Sequence, residues 1–394
     1  MKEQLKIKLD KIFADYQESQ ETHELYDEVL ANLEAHTEDL IAAGTDETLA
    51  IIKAFDEMGD LTEVLDELVA PRESENKNDF STPVVNYSTL NLVNEQIFNS
   101  RDFSAISLNY NNDNVEILQA EDENFRLLEY MNTNNEEYLA RINLSNGKLS
   151  IENGRRPKLF GRLWPFRSKI IFLIPKQTAK NLLLTCNSGN LKVSDVQFEN
   201  LKIDLRSGNL KAENVQAKEI QFNLMSGNGN FDAVKSETLK VDAKSGNLTF
   251  GKIEARQAKI FATSGNVGMI FADIYELKAE VKSGNLKVQQ LQTNCTELQA
   301  HSGNVQVGAE IFTKLKLSSH SGNAKALVNS DASFKFELKT GSGNTKIALA
   351  DVNYNVKSQS YKTGNAGTVG EREILLETHS GNATIKVAPS LMGD

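Results

Sequence analysis

The stretch SGNLKVSDVQFENLKIDLR, residues 188–206, is followed at once by SGNLKAENVQAKEIQFNLM, residues 207–225. Both begin with Ser-Gly-Asn, and the central glycine of that tripeptide recurs with a step of 19 residues as far as residue 322. Steps of 21, 21 and 17 residues continue the series toward the end of the chain. A fixed period of this length is typical of stacked repeats, in which each unit buries its apolar side against its neighbours. The glycines of the series are Gly189, Gly208, Gly227, Gly246, Gly265, Gly284, Gly303, Gly322, Gly343, Gly364 (in Lys-Thr-Gly-Asn) and Gly381.

Apolar and polar residues alternate before each tripeptide. Leu201, Ile203 and Leu205 point to one side of a strand, and the equivalent positions of the next two units are also apolar. The pattern predicts a parallel β-solenoid of 19-residue coils, with equivalent residues stacked about 4.8 Å apart. The glycine would then form a tight corner with positive φ, and the asparagines a hydrogen-bonded ladder. An antiparallel meander with Gly-Asn hairpin turns is the rival, although it must reverse twice per unit while the motif marks one corner.

Acidic residues are concentrated at the start of the chain. Residues 1–80 hold 22 Asp and Glu against 7 Lys and Arg, out of a net charge of −11 for the whole chain. Helical spacing of apolar residues predicts three or four helices here, the last over residues 61–69. The sequence therefore predicts a multi-domain α plus β protein: an acidic helical bundle over 1–70, a linker over 71–96, degenerate first coils or a cap over 97–176 with a basic-aromatic loop at 155–169, and the Ser-Gly-Asn β-solenoid over 177–390.

The stretches FSAISLNYNNDNVEILQ (103–119) and KIIFLIP (169–175), together with the Ser-Gly-Asn coils, resemble the DUF4097 family of adhesin-like proteins. The head, with its Gly-Thr-Asp-Glu turn (44–47) and its AFDEMGD stretch (54–60), resembles HAAS helical domains and LiaX-type surface proteins of Gram-positive bacteria. The resemblance implies a role at the cell envelope or surface, adhesin-like or in sensing envelope stress or antimicrobial peptides. It implies no catalytic residues.

The segment RRPKLFGRLWPFRSK, residues 155–169, combines six cations with aromatic side chains and contains no acid. Such a composition suits an anionic membrane surface or an envelope polymer, because the cations supply electrostatic attraction and the rings enter the interface. The alternative is that the aromatic residues plug the end of the solenoid core while the cations neutralise the acidic head. An isoelectric point near 5.2 argues against nucleic acid as a partner. The candidate binding residues are Arg155, Arg156, Lys158, Phe160, Arg162, Trp164, Phe166, Arg167 and Lys169.

The sequence contains only weak candidates for catalytic or metal-binding groups. One outward column places acids on alternate rungs, about 9.6 Å apart, at the outer limit for a glycosidase pair. Histidines 301, 320 and 379 share another outward column, but only the first two are expected on adjacent rungs, which makes a poor metal site. We therefore expect no enzyme activity, no cofactor and no metal. The acid column is Asp204, Asn223, Asp242, Phe261, Glu280 and Gln299.

The leading hypothesis is a non-enzymatic binding protein associated with the cell envelope or surface. The alternative is an intracellular regulatory scaffold whose acidic head binds a regulatory protein, since the sequence shows no signal peptide or transmembrane segment. A solenoid enzyme acting on polysaccharides ranks third. The oligomeric state is unknown from the sequence, and Cys186 and Cys295 are predicted to lie too far apart along the stack to form a disulfide.

Overall fold

The helices of the acidic head form where the apolar spacing predicts them. In the computed structural model they are α1 (Lys2–Phe13), α2 (Gln20–Ala42) and α3 (Glu47–Met58). Their apolar faces meet in one core that includes Leu5, Leu9, Val29, Leu33 and Ile51. The structure describes residues 1–13, 20–42, 45–58, 90–155, 166–175, 180–368 and 370–388, so the helix predicted over 61–69 lies outside the described residues.

The repeats fold into long strands that each span almost a whole coil. The residues of one strand pair in parallel with those 19 positions later, as Leu191 does with Leu210. Because the register matches the sequence period, each apolar column becomes a continuous ladder inside the stack. Phe231 and Phe250 are neighbours in one such column, with ring centroids 4.9 Å apart, and the ring of Phe222, from another column, stacks on Phe231 at 5.0 Å. These strands are β9 (Leu191–Ser207), β10 (Leu210–Ser226), β11 (Gly229–Ser245), β12 (Leu248–Ser264) and β13 (Val267–Ser283).

Shorter strands precede the regular coils. β8 pairs in parallel with β9 on one side and with β2 on the other, so the coil of β2 and β3 lies directly beneath the first Ser-Gly-Asn coil. β5 and β6 form an antiparallel hairpin, and β6 stacks beneath β2. The bounds are β1 (Asn91–Phe98), β2 (Ala105–Tyr110), β3 (Asn114–Gln119), β4 (Phe125–Met131), β5 (Arg141–Ser145), β6 (Lys148–Glu152), β7 (Ser168–Ile174) and β8 (Asn181–Ser188).

β1 begins inside the stretch assigned to the linker from the sequence, whose residues 71–89 lie outside the described part of the chain. The order of the early strands also departs from the order of the chain. Residues 105–119 form one rung and the next rung upward begins at residue 181. The chain between them supplies strands on the opposite side of that rung, as β6 and β7 show. This arrangement covers the end of the stack, which would otherwise expose unpaired backbone groups.

The later part of the solenoid is made of shorter strands, two to a coil, with two further strands that cover the end. They are β14 (Leu286–Gln292), β15 (Cys295–Ser302), β16 (Val305–Ile311), β17 (Lys314–Ser321), β18 (Ala324–Val328), β19 (Phe334–Ser342), β20 (Thr345–Ala348), β21 (Val352–Lys357), β22 (Tyr361–Ala366), β23 (Glu373–Ser380) and β24 (Ala383–Val387). β17 pairs with β23, and β23 pairs in turn with β19, all in parallel. The last coil of the sequence is therefore inserted between two earlier ones. β22 covers β19 in antiparallel pairing and is itself covered by β21.

The chain divides into two compact units. The first comprises Met1–Asn94, Glu129–Leu139 and Gly154–Lys169, and the second comprises Glu95–Leu128, Ala140–Asn153 and Ile170–Asp394. The second unit has a single apolar core that runs along the whole stack. The fold class predicted from the sequence, a small helical region followed by a parallel β-solenoid, is confirmed.

Candidate functional site

The Ser-Gly-Asn corners hold the coils in register. At ten of them the glycine has φ between +115° and +147°. At nine of these ten corners the glycine N–H donates to the serine carbonyl of the next rung, as Gly208 does to Ser226 at 3.2 Å. The asparagine side chains form a ladder beside the corner, in which each Oδ1 accepts from the main-chain N–H of the next asparagine, at 3.0 Å between Asn209 and Asn228. A side chain cannot replace this glycine without disturbing its neighbours.

The prediction that Gly364 forms a corner is wrong. This residue lies in the middle of β22, which runs antiparallel to both of its neighbours, and its backbone is not in the left-handed region. The spatial order of the final corners also differs from the sequence order. Gly322 N–H donates to Ser380, and Gly381 N–H donates to Ser342, so Gly381 lies between Gly322 and Gly343.

A second bend, which was not predicted from the sequence, occurs six residues after the corner glycine. Asp195, Asn214 and Ala233 occupy this position on successive rungs, with φ of 58°, 50° and 50°. The side-chain amide of Asn214 donates to Asp195 Oδ1 at 2.8 Å. Asp and Asn tolerate a left-handed backbone better than most residues, so their recurrence at a 19-residue spacing was the available signal.

The basic-aromatic segment is described only at its two ends. Arg156, Lys158, Phe160, Arg162 and Trp164 lie outside the described residues. At the start of the segment, the exposed guanidinium of Arg155 lies 3.2 Å from Glu137 Oε2. At the other end, the ring of Phe166 packs edge-to-face on Tyr138 with centroids 5.4 Å apart. The N–H of Arg167 donates to Asn132 Oδ1 at 3.1 Å, and Lys169 is half-buried in β7.

The acid column is embedded in compensating groups. Asp204 lies 3.3 Å from the ammonium of Lys202 and accepts a hydrogen bond from Asn223 on the next rung. Asp242, the next acid, is two rungs away. In the described part of the chain, no group of three or more His, Cys, Asp or Glu side chains is placed to hold a metal ion.

A shallow depression of about 550 Å³ lies on another side of the solenoid, lined in part by Arg256, Asp273, Tyr275 and Asn294. One of its two carboxylates, Glu254, lies 2.7 Å from Lys252 and 3.2 Å from Lys235. Hydrogen bonds from these two lysines hold the pKa of Glu254 below its ordinary value. Because this carboxylate is fully paired and stays ionised at neutral pH, it is a poor candidate for a general acid.

The two cysteines belong to distant rungs. Cys186 lies inside β8, while Cys295 begins β15, six rungs farther along the stack. At about 4.8 Å per rung the separation is near 29 Å, far beyond the ~7 Å limit between the Cα atoms of a disulfide. Both cysteines are free.

We therefore expect the two thiols to react very differently. Burial raises the pKa of the Cys186 thiol to about 11, so at pH 8 only about one molecule in a thousand carries the reactive thiolate there. Cys295 is only half-buried. Iodoacetamide at pH 8, followed by mass spectrometry, should label Cys295 and leave Cys186 unmodified until the protein is unfolded. Equal labelling of both native thiols would contradict the burial of Cys186.

One protein family matches the solenoid part of the chain. A family model described as Toastrack DUF4097 matches residues 103–288 and 228–386, well over half of the chain. The chain belongs to the Toastrack DUF4097 family. The resemblance of its head to HAAS domains, and of the whole to LiaX-type proteins, stays a prediction.

Three bacterial proteins of known structure are similar to this Toastrack protein. A "putative adhesin" from Bacteroides fragilis NCTC 9343 is 10% identical over 74% of this chain and 95% of its own, with a TM-score of 0.37. A "putative lipid binding protein" from Parabacteroides distasonis ATCC 8503 is 14% identical over 74% and 96%, with a TM-score of 0.37. A "putative adhesin" from the same strain is 14% identical over 74% and 96%, with a TM-score of 0.28. These three names are of adhesins or binding proteins rather than of enzymes.

No curated protein matches this Toastrack chain. Among its described helices, none is both long and apolar enough to cross a lipid bilayer.

Proposed function

We propose that this Toastrack protein is a non-enzymatic, surface-associated binding protein that contacts an anionic membrane surface through the basic-aromatic segment 155–169. The observation that supports the proposal is the composition of that segment: six cations, one tryptophan and two phenylalanines, with no acid, in a chain whose net charge is −11. A basic segment that also carries aromatic residues, within an acidic chain, has the composition of an interfacial membrane anchor.

The contacts at both ends of the segment support this proposal. Arg155 pairs with Glu137, and the ring of Phe166 packs on Tyr138. Both partners belong to residues 129–139 of the same compact unit. Fixed ends reduce the conformational entropy that the segment loses on binding, so a larger share of the interaction energy appears as affinity.

The test is binding of the full chain to vesicles. We expect the double variant R162E/W164S to bind vesicles of phosphatidylglycerol and phosphatidylcholine at least about 30-fold more weakly than the native protein, since reversing one cation near an anionic surface removes about 2 kcal/mol. Phe166 is left unchanged because it packs on Tyr138. Co-sedimentation measures the binding, and circular dichroism on heating checks that the fold is retained.

The matched control is R256E/Y275S, which makes a similar change of charge and aromatic area on the outer surface of the solenoid. Arg256 is exposed and Tyr275 is 53% exposed. This control should bind vesicles as the native protein does. A stability loss in R162E/W164S with unchanged binding would contradict the proposal and favour a segment that plugs the fold. Binding to soluble anionic polymer but not to vesicles would make the envelope polymer the partner.

A second candidate function is a regulatory scaffold, which the acidic head favours. Residues 1–80 carry a surplus of 15 negative charges, and much of it lies on helices whose apolar residues face their own core. Such a surface suits a basic protein partner. Protease treatment of intact cells separates the candidates, because an intracellular scaffold would stay protected while a surface protein would be cleaved.

A further inference from the structure

Three histidines form a ladder on the outer face of the solenoid. His301 lies on β15, His320 on β17 and His379 on β23, and the parallel register places them on three successive rungs. Their ring centroids are 4.9 and 4.7 Å apart and their rings are within 5° of parallel. All three side chains are exposed. The sequence period predicts that only the first two are adjacent, and that prediction is wrong because β23 is inserted directly after β17.

The histidine ladder continues a column that carries cations on earlier rungs. Below it stands Lys282, whose Nζ lies 5.4 Å above the ring of Phe261. Farther down the same column, Arg206 and Lys244 occur on alternate rungs. Beyond His379 the column ends at Gly341, which has no side chain. The histidines therefore form the open end of a cationic ridge parallel to the axis of the stack.

Three of the four carboxylates around the ladder are paired with lysines, and the fourth, Glu337, accepts a hydrogen bond from the hydroxyl of Tyr361. The outward face of β15, β17, β23 and β19 carries four glutamates and four lysines. With these charges balanced, the protonation state of the three histidines decides the sign of this face. The pairs are Glu377 with Lys339 at 3.6 Å, Glu373 with Lys314 at 3.1 Å, and Glu297 with Lys316 at 2.8 Å and Lys278 at 3.3 Å, while Lys335 and Glu337 complete the set on β19.

The other side of the corner adds positive charge. The strands β14, β16, β18, β24 and β20 carry one carboxylate there, Glu310, which accepts a hydrogen bond from Gln292 at 3.3 Å. The asparagine ladder runs between the two sides and uses its own oxygens internally, as Asn323 does in accepting from Asn382. The lysines on these strands are Lys287, Lys325, Lys346 and Lys386.

The ring geometry disfavours a metal ion and favours a row of anions. Nitrogen lone pairs lie in the ring plane, so parallel rings stacked 4.7–4.9 Å apart point their nitrogens side by side rather than at one centre. Zinc requires each nitrogen about 2.0–2.1 Å from the same ion. Protonated rings in this arrangement repel one another, and a ligand that places one negative charge beside each rung removes the repulsion.

We propose that the histidine ladder is a binding site for a linear polyanion, which lies along the solenoid axis and binds when mild acid protonates the three rings. Each imidazolium donates N–H groups to one anionic group of the polymer. The lysines across the corner and Lys282 extend the contact beyond the three histidine rungs. This site belongs to the solenoid and is independent of the basic-aromatic segment.

The test uses long-chain inorganic polyphosphate carrying a fluorophore, with binding to the full chain followed by anisotropy at fixed salt. Between pH 7.5 and 5.5 the affinity should rise about tenfold or more, because three cations are added along one line. The variant H301Q/H320Q/H379Q should keep the affinity of pH 7.5 and lose the rise. The single variant H320R should bind more tightly at pH 7.5 and show a smaller pH dependence.

The matched control is K244Q, in the same column three rungs below His301. It should weaken binding at both pH values by a similar factor and leave their ratio unchanged. Monophosphate should not compete at equal phosphate concentration, since a single anion cannot span the rungs. A pH-dependent rise that survives in the triple glutamine variant would overturn the proposal. So would a rise seen with phosphatidylglycerol vesicles but absent with polyphosphate. Loss of vesicle binding at pH 7.5 on mutation of residues 162 and 164 tests the proposed function separately.

Discussion

Replacing Gly227 with alanine should lower the free energy of unfolding by about 3–5 kcal/mol, a very large effect for the addition of one methyl group. The glycine has φ of +116°, a conformation that L side chains rarely adopt. A Cβ atom there would lie 2.6 Å from the carbonyl carbon of Gly208 on the rung below. The backbone cannot shift to relieve the overlap, because the N–H of Gly227 is bonded to Ser245 on the rung above at 3.1 Å.

The measurement is the urea midpoint followed by circular dichroism, with hydrogen exchange to locate the damage. Gly268→Ala is the matched control: this glycine lies in β13, and an added Cβ would meet nothing within 4 Å. Its substitution should change stability by no more than about 0.5 kcal/mol. Because neighbouring coils stabilise one another, we expect faster exchange in β10 and β11 first. Equal midpoints for the two variants would show that the corner does not need glycine.

Introducing cysteines at Ser318 and Glu377 should give a nearly quantitative disulfide under mild oxidation. These two outward positions are direct partners in the pairing of β17 with β23, although 59 residues separate them in the chain. Neighbouring rungs are about 4.8 Å apart, within the Cα range that a disulfide requires. The background is C295S, which removes the half-buried native thiol while the buried Cys186 stays in place.

The control pair is S318C with K339C. In the structure Lys339 pairs with Glu377, so it lies two rungs from Ser318, about 9.6 Å away and beyond disulfide reach. If the coils were stacked in chain order, position 318 would instead adjoin position 339, and the control pair would be the one to crosslink. Non-reducing mass spectrometry distinguishes the two results. A crosslink at 318–339 would also remove the third rung of the histidine ladder.

The regular part of the solenoid follows directly from the sequence. The 19-residue period of Ser-Gly-Asn predicts the coil length, the parallel register and the inward columns such as Leu201 with Ile220. These features are local and repeated: each unit presents the same apolar pattern to the units above and below it, so a single alignment of units satisfies all of them. The acidic helices of the head were likewise visible from their spacing of apolar residues.

The second bend was harder to foresee from the sequence. Asp195 and Asn214 mark it on two rungs, but Ala233 occupies the same place on the next with an equally left-handed backbone. Alanine gives no local signal for that conformation, and the stacked neighbours impose it. In the same way, the residues between 156 and 165 were singled out by composition alone, and their role in membrane contact stays a prediction.

The sequence alone determined the period, the inward columns and the need for glycine at the regular corners. The tertiary structure alone decided the order of the rungs at both ends, where residues 105–119 stack beneath residue 181 and Gly381 lies between Gly322 and Gly343. Gly364 carries the motif yet lies in a covering strand, and His379 joins a ladder that its place in the chain does not suggest. The physical reason is that coils with the same pattern present nearly interchangeable edges. The stacking order then depends on how far the connecting segments can reach and on which strands cover the last open edge. The repeat period gives no information about either.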